Sequence, residues 1–235
     1  MTKRTRALTA LALLVPVPSA GVLLAMVLAR GPCGQAVYGL GKAWILILPA
    51  AWWVWIDGGR LSWSPPRRGG LGAGFAVGLL IAAAIVAAYV AVGRLWLDPA
   101  RLRAVAAANG LGHPRLFVVL AAYWILVNAP LEEYVWRWFV FRQCQTVVGS
   151  GRFGPRTADA LAVAWSAALF TLHHLVALRA QMPWPPALLA CLGVFLGGAT
   201  WSALYRRYGS IWPGCLSHAL ADLAIFTIAW RLLFA

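Results

Sequence analysis

Seven apolar runs, each about as long as a bilayer is thick, dominate the chain: residues 7–29, 36–56, 71–93, 116–147, 160–180, 185–205 and 211–233. A helix needs about 20 mostly apolar residues to cross a hydrocarbon core of ~30 Å. Inside that core each backbone N–H and C=O must find its partner within the protein, which a helix achieves within its own segment. The chain therefore reads as all-α, a polytopic transmembrane helical bundle of about seven to eight spans. The spans consume nearly the whole sequence, so residues 1–235 are expected to form a single transmembrane domain. The fourth run is too long for one straight crossing, and Pro130 predicts a kinked or broken fourth helix.

Composition agrees. Hydrophobic residues make up 62% and charged residues 11% of the chain, against about 25% charged in an average soluble domain. The formal net charge of +14 would suggest nucleic acid in a soluble protein. Here most basic residues lie in short connections between apolar runs. They read as topogenic charge and contacts to anionic lipid headgroups, and no nucleic-acid partner is expected. Cys33, Cys144, Cys191 and Cys215 show no C-x-x-C spacing, which argues against a disulfide framework or a cysteine-based zinc site.

The amino terminus carries Lys3, Arg4 and Arg6 ahead of an apolar run longer than a signal-peptide core, so an uncleaved first span is expected. With that terminus in the cytoplasm, the inner connections hold Lys3, Arg4, Arg6, Arg60, Arg67, Arg68, Arg142, Arg152, Arg156, Arg206 and Arg207. The outer ones hold Arg30, Arg94, Arg101, Arg103, Arg115, Arg179 and Arg231. The bias favours a cytoplasmic amino terminus and, in a bacterial host, the plasma (inner) membrane. Residues 99–110 read as a short interfacial helix capped by Asp98 and ended by Gly110. Trp52, Trp53, Trp55, Trp63, Trp96, Trp184, Trp212 and Trp230 fall near span ends, the place of an aromatic belt. Gly74-x-x-x-Gly78 and Gly193-x-x-x-Gly197 signal close helix packing, and residues 65–70 a polar turn.

Against this background the two glutamates of the chain stand out. They are adjacent, in Asn128-Ala-Pro-Leu-Glu132-Glu133-Tyr-Val-Trp-Arg137. An ionised side chain at the centre of a membrane helix costs at least ~2.5–3.5 kcal/mol. The other polar residues within spans are His173 and His174, His218 and Asp222, and Lys42. Spacing of i,i+4 aligns Glu133 with Arg137, Phe170 with His174, and His218 with Asp222. Glu132 lies about 100° around the helix from Glu133, which frees the two carboxylates for different tasks. At ~1.5 Å per residue, Glu132 is about 15 Å deep from Arg142, His174 about 21 Å from Ala160, and His218 about 11 Å from Ile211. All three can meet inside one core.

Such a set suits hydrolysis. A desolvated carboxylate is a stronger base toward water. One histidine can hold that water, and a second, oriented by a carboxylate, can donate to a tetrahedral oxyanion. Ser217 adjoins His218 but points elsewhere on the helix, so no serine nucleophile is invoked. No cofactor is expected. Glu132, His174 and His218 form an alternative zinc ligand set, although H-E-x-x-H is absent. Each group also has a plain structural reading. Glu133–Arg137 can be a buried brace, His218–Asp222 an interhelical clamp, and His173 a packing residue. Lys42 snorkels or faces another helix. Three spans each supplying a polar pair favour a working site.

Glu132-Glu133-x-x-x-Arg137, Phe170-x-x-x-His174 and His218-x-x-x-Asp222, in that order on separate spans, resemble the CPBP family of intramembrane proteases (CAAX protease and bacteriocin-processing, also called Abi). The resemblance covers about residues 116–225 as a catalytic core. It implies an intramembrane endopeptidase of glutamic type, hydrolysing a peptide bond near the C-terminus or a membrane-adjacent segment of a protein or peptide substrate, including a membrane-anchored one. It further implies that Glu132 activates water with His174, that Glu133 and Arg137 organise the site, and that His218 and Asp222 form the oxyanion end. Many members carry Asn where this chain has Asp222. A non-catalytic immunity or partner-binding protein on the same scaffold and a proton-coupled transporter are the competing classes. Absence of internal repeats speaks against the transporter.

Overall fold

The computed structural model describes residues 1–28, 31–108, 111–151 and 153–235. Arg30, Gly110 and Arg152, assigned above to connections or a helix end, lie outside them. Among the described residues, seven helices are long and apolar enough to span a membrane. With the short helix they define α1 (Lys3–Leu23), α2 (Pro32–Ile56), α3 (Leu71–Trp96), α4 (Pro99–Ala108), α5 (Pro114–Gly149), α6 (Pro155–Gln181), α7 (Trp184–Tyr208) and α8 (Trp212–Phe234). The chain is a multi-pass integral membrane helical bundle.

Local chemistry sets the ends of these helices. Pro32, Pro114, Pro155 and Pro213 occupy first turns, where a missing N–H costs nothing. Asp98 Oδ1 accepts from Ala100 N at 2.9 Å and opens α4. Gly209, at φ +65°, ends α7 in the left-handed conformation.

At the centre stands α5. Its residues Val135 to Phe141 are buried without interruption, as expected of a helix enclosed on all faces. It runs as one helical segment from Pro114 to Gly149. The interruption near Pro130 is a change of hydrogen-bond register: π-helical stretches at Trp124–Asn128 and Tyr134–Phe141 flank a short α-helical piece, Ala129–Glu133. Such insertions recur at functional sites. Both glutamates lie in that piece.

Around α5, α3 packs along α8 and α6 along α7. Gly74 and Gly78 make the first contact possible. A Cβ at Gly74 would fall 2.3 Å from Pro213 O, and one at Gly78 2.9 Å from Ser217 Cα. The second glycine pair behaves differently. Gly193 has nothing within 4 Å, and Gly197 meets Trp201 of its own helix. Its neighbour Gly198 makes the close approach, with Phe170 at 3.1 Å, because the phase of α7 turns residue 198 toward α6.

The aromatic belt also needs correction. Trp55, Trp63, Trp96, Trp184, Trp212 and Trp230 are exposed, whereas Trp52 is buried. Trp53 is half-buried beneath Arg142, whose guanidinium lies 4.1 Å over its ring. Trp53 also meets Trp138 of α5 edge-on at 5.8 Å. All four cysteines are free.

Candidate active site

The site grows from consecutive turns of α5. Asn128 and Glu132, four apart, share a face, and Asn128 Nδ2 donates to Glu132 Oε1 at 2.9 Å. Glu133 and Arg137 share the next face. Arg137 Nε lies 3.4 Å from both Glu133 oxygens, and both side chains are wholly buried. A buried ion pair is tolerated when further partners surround it. Arg137 has Ser202 Oγ at 3.5 Å and the rings of Phe170 and Trp201 at 4.7 and 5.6 Å.

From α8, His218 reaches between the two carboxylates. Its Nδ1 is 3.2 Å from Glu133 Oε1, and its Nε2 is 3.9 Å from Glu132 Oε2 and 3.8 Å from Asp222 Oδ1. Trp201 stacks on the imidazole at 4.0 Å, with its own Nε1 donating to Ser217 Oγ at 3.0 Å. Ser217 thus holds a ring that holds His218. A Cβ at position 214 would lie 2.5 Å from Glu133 Oε2, so Gly214 is the space that Glu133 occupies.

The third group comes from α6. His174 Nδ1 is 3.1 Å from Phe170 O. His173 stacks on Trp136 at 5.2 Å, which matches its expected packing role, yet it also lines the cavity beside His174. That cavity measures about 310 Å³, at the small end of ligand-sized pockets. Glu132 is its one carboxylate among the described lining residues. Glu133, Arg137, His218 and Asp222 are not among its lining residues, and His218 Nε2 adjoins Glu132 at 3.9 Å.

Lys42 faces another helix, one of its two expected fates. Its Nζ donates to Asn128 Oδ1 at 3.0 Å and lies 5.4 Å from the Trp124 ring and 5.8 Å from Tyr38. A chain of contacts therefore runs Lys42–Asn128–Glu132 along the cavity wall. Sequence reasoning gave no role to Asn128, Trp201 or Gly214. The i,i+4 spacing of Asn128 and Glu132 was a usable signal; the other two depend on helix crossings that no spacing encodes. Among the described residues no three His, Cys, Asp or Glu side chains are grouped so as to hold a metal ion.

The arrangement places a carboxylate at the boundary between an apolar cavity and a buried polar network. It can accept a proton from a water in the cavity while the network fixes its position. Residues 114–224 match a family model described as type II CAAX prenyl endopeptidase Rce1-like. No curated protein and no solved structure matches the chain.

Proposed function

We propose, on the match of residues 114–224 to the Rce1-like type II CAAX prenyl endopeptidase family model, that the chain is an intramembrane endopeptidase that hydrolyses a peptide bond with water activated by Glu132. The observation that carries this reading is the position of Glu132. It lines the cavity with His173 and His174, and Asn128 and His218 approach it from its own helix and from α8.

In the proposed reaction a cavity water gives its proton to Glu132, with His174 holding the water. The oxygen adds to the scissile carbonyl, forming a tetrahedral oxyanion that His218 stabilises as donor, with Asp222 orienting its ring. Collapse breaks the C–N bond, and the proton passes from Glu132 to the departing amine. Glu133 and Arg137 act through position alone: they fix the helix face that carries Glu132 and the ring of His218.

Lys42 supports cleavage near a substrate's C-terminus. It is the one lysine or arginine among the described residues lining the cavity, and a terminal carboxylate is the anion a peptide offers. The links through Asn128 keep Nζ within roughly 8 Å of Glu132, the reach of two to three extended residues at ~3.3–3.6 Å each.

Glu132→Gln tests the assignment. General-base catalysis is worth about 10²–10⁴-fold, so cleavage of a reporter with a membrane-adjacent C-terminal segment should fall by at least that much. The detergent-solubilised variant should keep the wild-type melting temperature. Wild-type turnover in Glu132→Gln would remove Glu132 as the base. Metal analysis of the active protein, with activity measured after chelation, decides separately against or for the zinc set Glu132, His174 and His218.

A further inference from the structure

The connection between α2 and α3 reads Asp57-Gly-Gly-Arg-Leu-Ser-Trp-Ser-Pro-Pro-Arg-Arg-Gly-Gly, and it folds back onto the ends of α7 and α8. Ser64 sits at φ +56°, the one non-glycine residue with positive φ among the described residues. Such a backbone state costs about 1–3 kcal/mol and persists only where its surroundings enforce it. The surroundings are specific. Ser210 Oγ donates to Ser64 O at 2.6 Å, Ile211 N donates to Ser64 Oγ at 3.1 Å, and Trp212 Nε1 donates to Trp63 O at 3.0 Å. Gly70, at φ +97°, lies against the ring of Tyr208, where a Cβ would come within 2.5 Å.

This clamp leaves a cavity of about 360 Å³, lined by Ser62, Ser64, Arg67, Arg68, Arg142 and Tyr208 among others. Three arginines, two serines and two tyrosines line it, and no described lining residue is acidic. The carboxylates at this end of the bundle are already engaged: Asp159 by Arg206 at 2.7 Å, and Asp57 by Gln143 at 3.4 Å. Arg142 makes no ion pair among the described residues. Its guanidinium is instead fixed over Trp53 at 4.1 Å, with Trp138 at 5.9 Å. Topogenic charge would need only exposed arginines in a connection. A half-buried arginine on a helix, stacked on aromatic rings and lining an open cleft bordered by a strained loop, is more than that.

We infer that this cavity is a binding site for a phosphate group, carried by the headgroup of an anionic lipid at the membrane boundary. Guanidinium forks match phosphate oxygens in pairs, and serine and tyrosine hydroxyls complete a donor set. The rim favours a lipid as the carrier. Leu61 and Trp63, which flank Ser62, are 63% and 82% exposed, an apolar edge where acyl chains can lie. The inference is independent of the hydrolytic reading.

The test is native mass spectrometry on the delipidated full chain, titrated with dioctanoyl phosphatidylglycerol, dioctanoylglycerol or inorganic phosphate. The phosphatidylglycerol should bind and the phosphate-free dioctanoylglycerol should not. Arg67→Gln/Arg68→Gln, at two exposed positions, should weaken phosphatidylglycerol binding by about tenfold, the loss of ~1.4 kcal/mol. Lys3→Gln/Arg4→Gln removes the same charge from the same end and should leave affinity within about twofold. Retention of bound lipid against millimolar inorganic phosphate assigns the site to a lipid headgroup; full displacement assigns it to a soluble phosphate compound. Equal weakening by the two double variants, or equal binding of dioctanoylglycerol, overturns the site.

Discussion

Glu132 and Glu133 are adjacent in sequence and separate in surroundings. One faces a cavity; the other is enclosed by Arg137, His218 and the backbone at Gly214. Enclosure makes Glu133 sensitive to volume. Gly214→Ala would place a methyl 2.5 Å from Glu133 Oε2, and overpacking a filled site costs about 1–3 kcal/mol. The carboxylate must shift, and His218, bound to its other oxygen, shifts with it. The expected result is a lowered melting temperature and at least about tenfold lower kcat, since small misplacements of reacting groups cost up to 10²-fold. Unchanged kcat in a folded Gly214→Ala protein would show that Glu133 does not position His218. Lys42 gives a prediction of another kind. If its Nζ receives a substrate carboxylate, Lys42→Met should lower kcat/KM for a peptide with a free C-terminus much more than for the same peptide ending in an amide. Lys42→Arg should restore most of the difference. Equal losses on acid and amide would limit Lys42 to supporting Asn128 and Glu132.

Among elements, the contact of α3 with α8 has a direct line to the site, because Ser217 and His218 are adjacent on α8. Gly78→Val would press against Ser217 Cα, 2.9 Å from a Cβ at that position. It should destabilise the fold by about 1–3 kcal/mol and reduce cleavage. Gly193→Val, in a motif of the same form but with open space around it, should change neither melting temperature nor rate. Matching effects of the two valines would refute this account of the packing. The pair also shows what a sequence reveals. The length and apolarity of the seven runs disclose the spans, because the bilayer sets both. An i,i+4 spacing discloses Glu133 with Arg137, because one helix places both. Small residues four apart say only that close approach is possible. Whether a second helix is there depends on crossings, which is why Gly198, outside the motif, carries the contact on α7. The stacking of Trp201 on His218 and the meeting of His218 with Glu133 are hidden for the same reason.

For the whole molecule, basic charge is divided unequally between the two ends of the bundle. Lys3, Arg4, Arg6, Arg60, Arg67, Arg68, Arg156, Arg206 and Arg207 cluster at the end where α1, α3, α6 and α8 begin. Contacts confirm that these segments share an end: Arg6 Nη1 donates to Ile56 O at 3.2 Å, and Ser210 to Ser64. Basic residues in short connections are retained on the cytoplasmic side, so this end is expected to face the cytoplasm. The cavity beside Glu132 belongs to the other half of the bundle, with Val22 near the far end of α1 and Gln181 at the far end of α6 in its wall. Orientation therefore decides from which side a substrate reaches Glu132, and two cysteines can read it. Cys33 is the exposed cysteine and lies at the start of α2, at the far end; Cys144, Cys191 and Cys215 are buried. In intact cells a membrane-impermeant maleimide should label Cys33 from outside. A cysteine introduced by Arg68→Cys in a Cys33→Ser background should react only after permeabilisation. The reverse pattern would put the basic end outside the cell, make the phosphate site an outer-leaflet feature, and turn the cavity beside Glu132 toward cytoplasmic substrates.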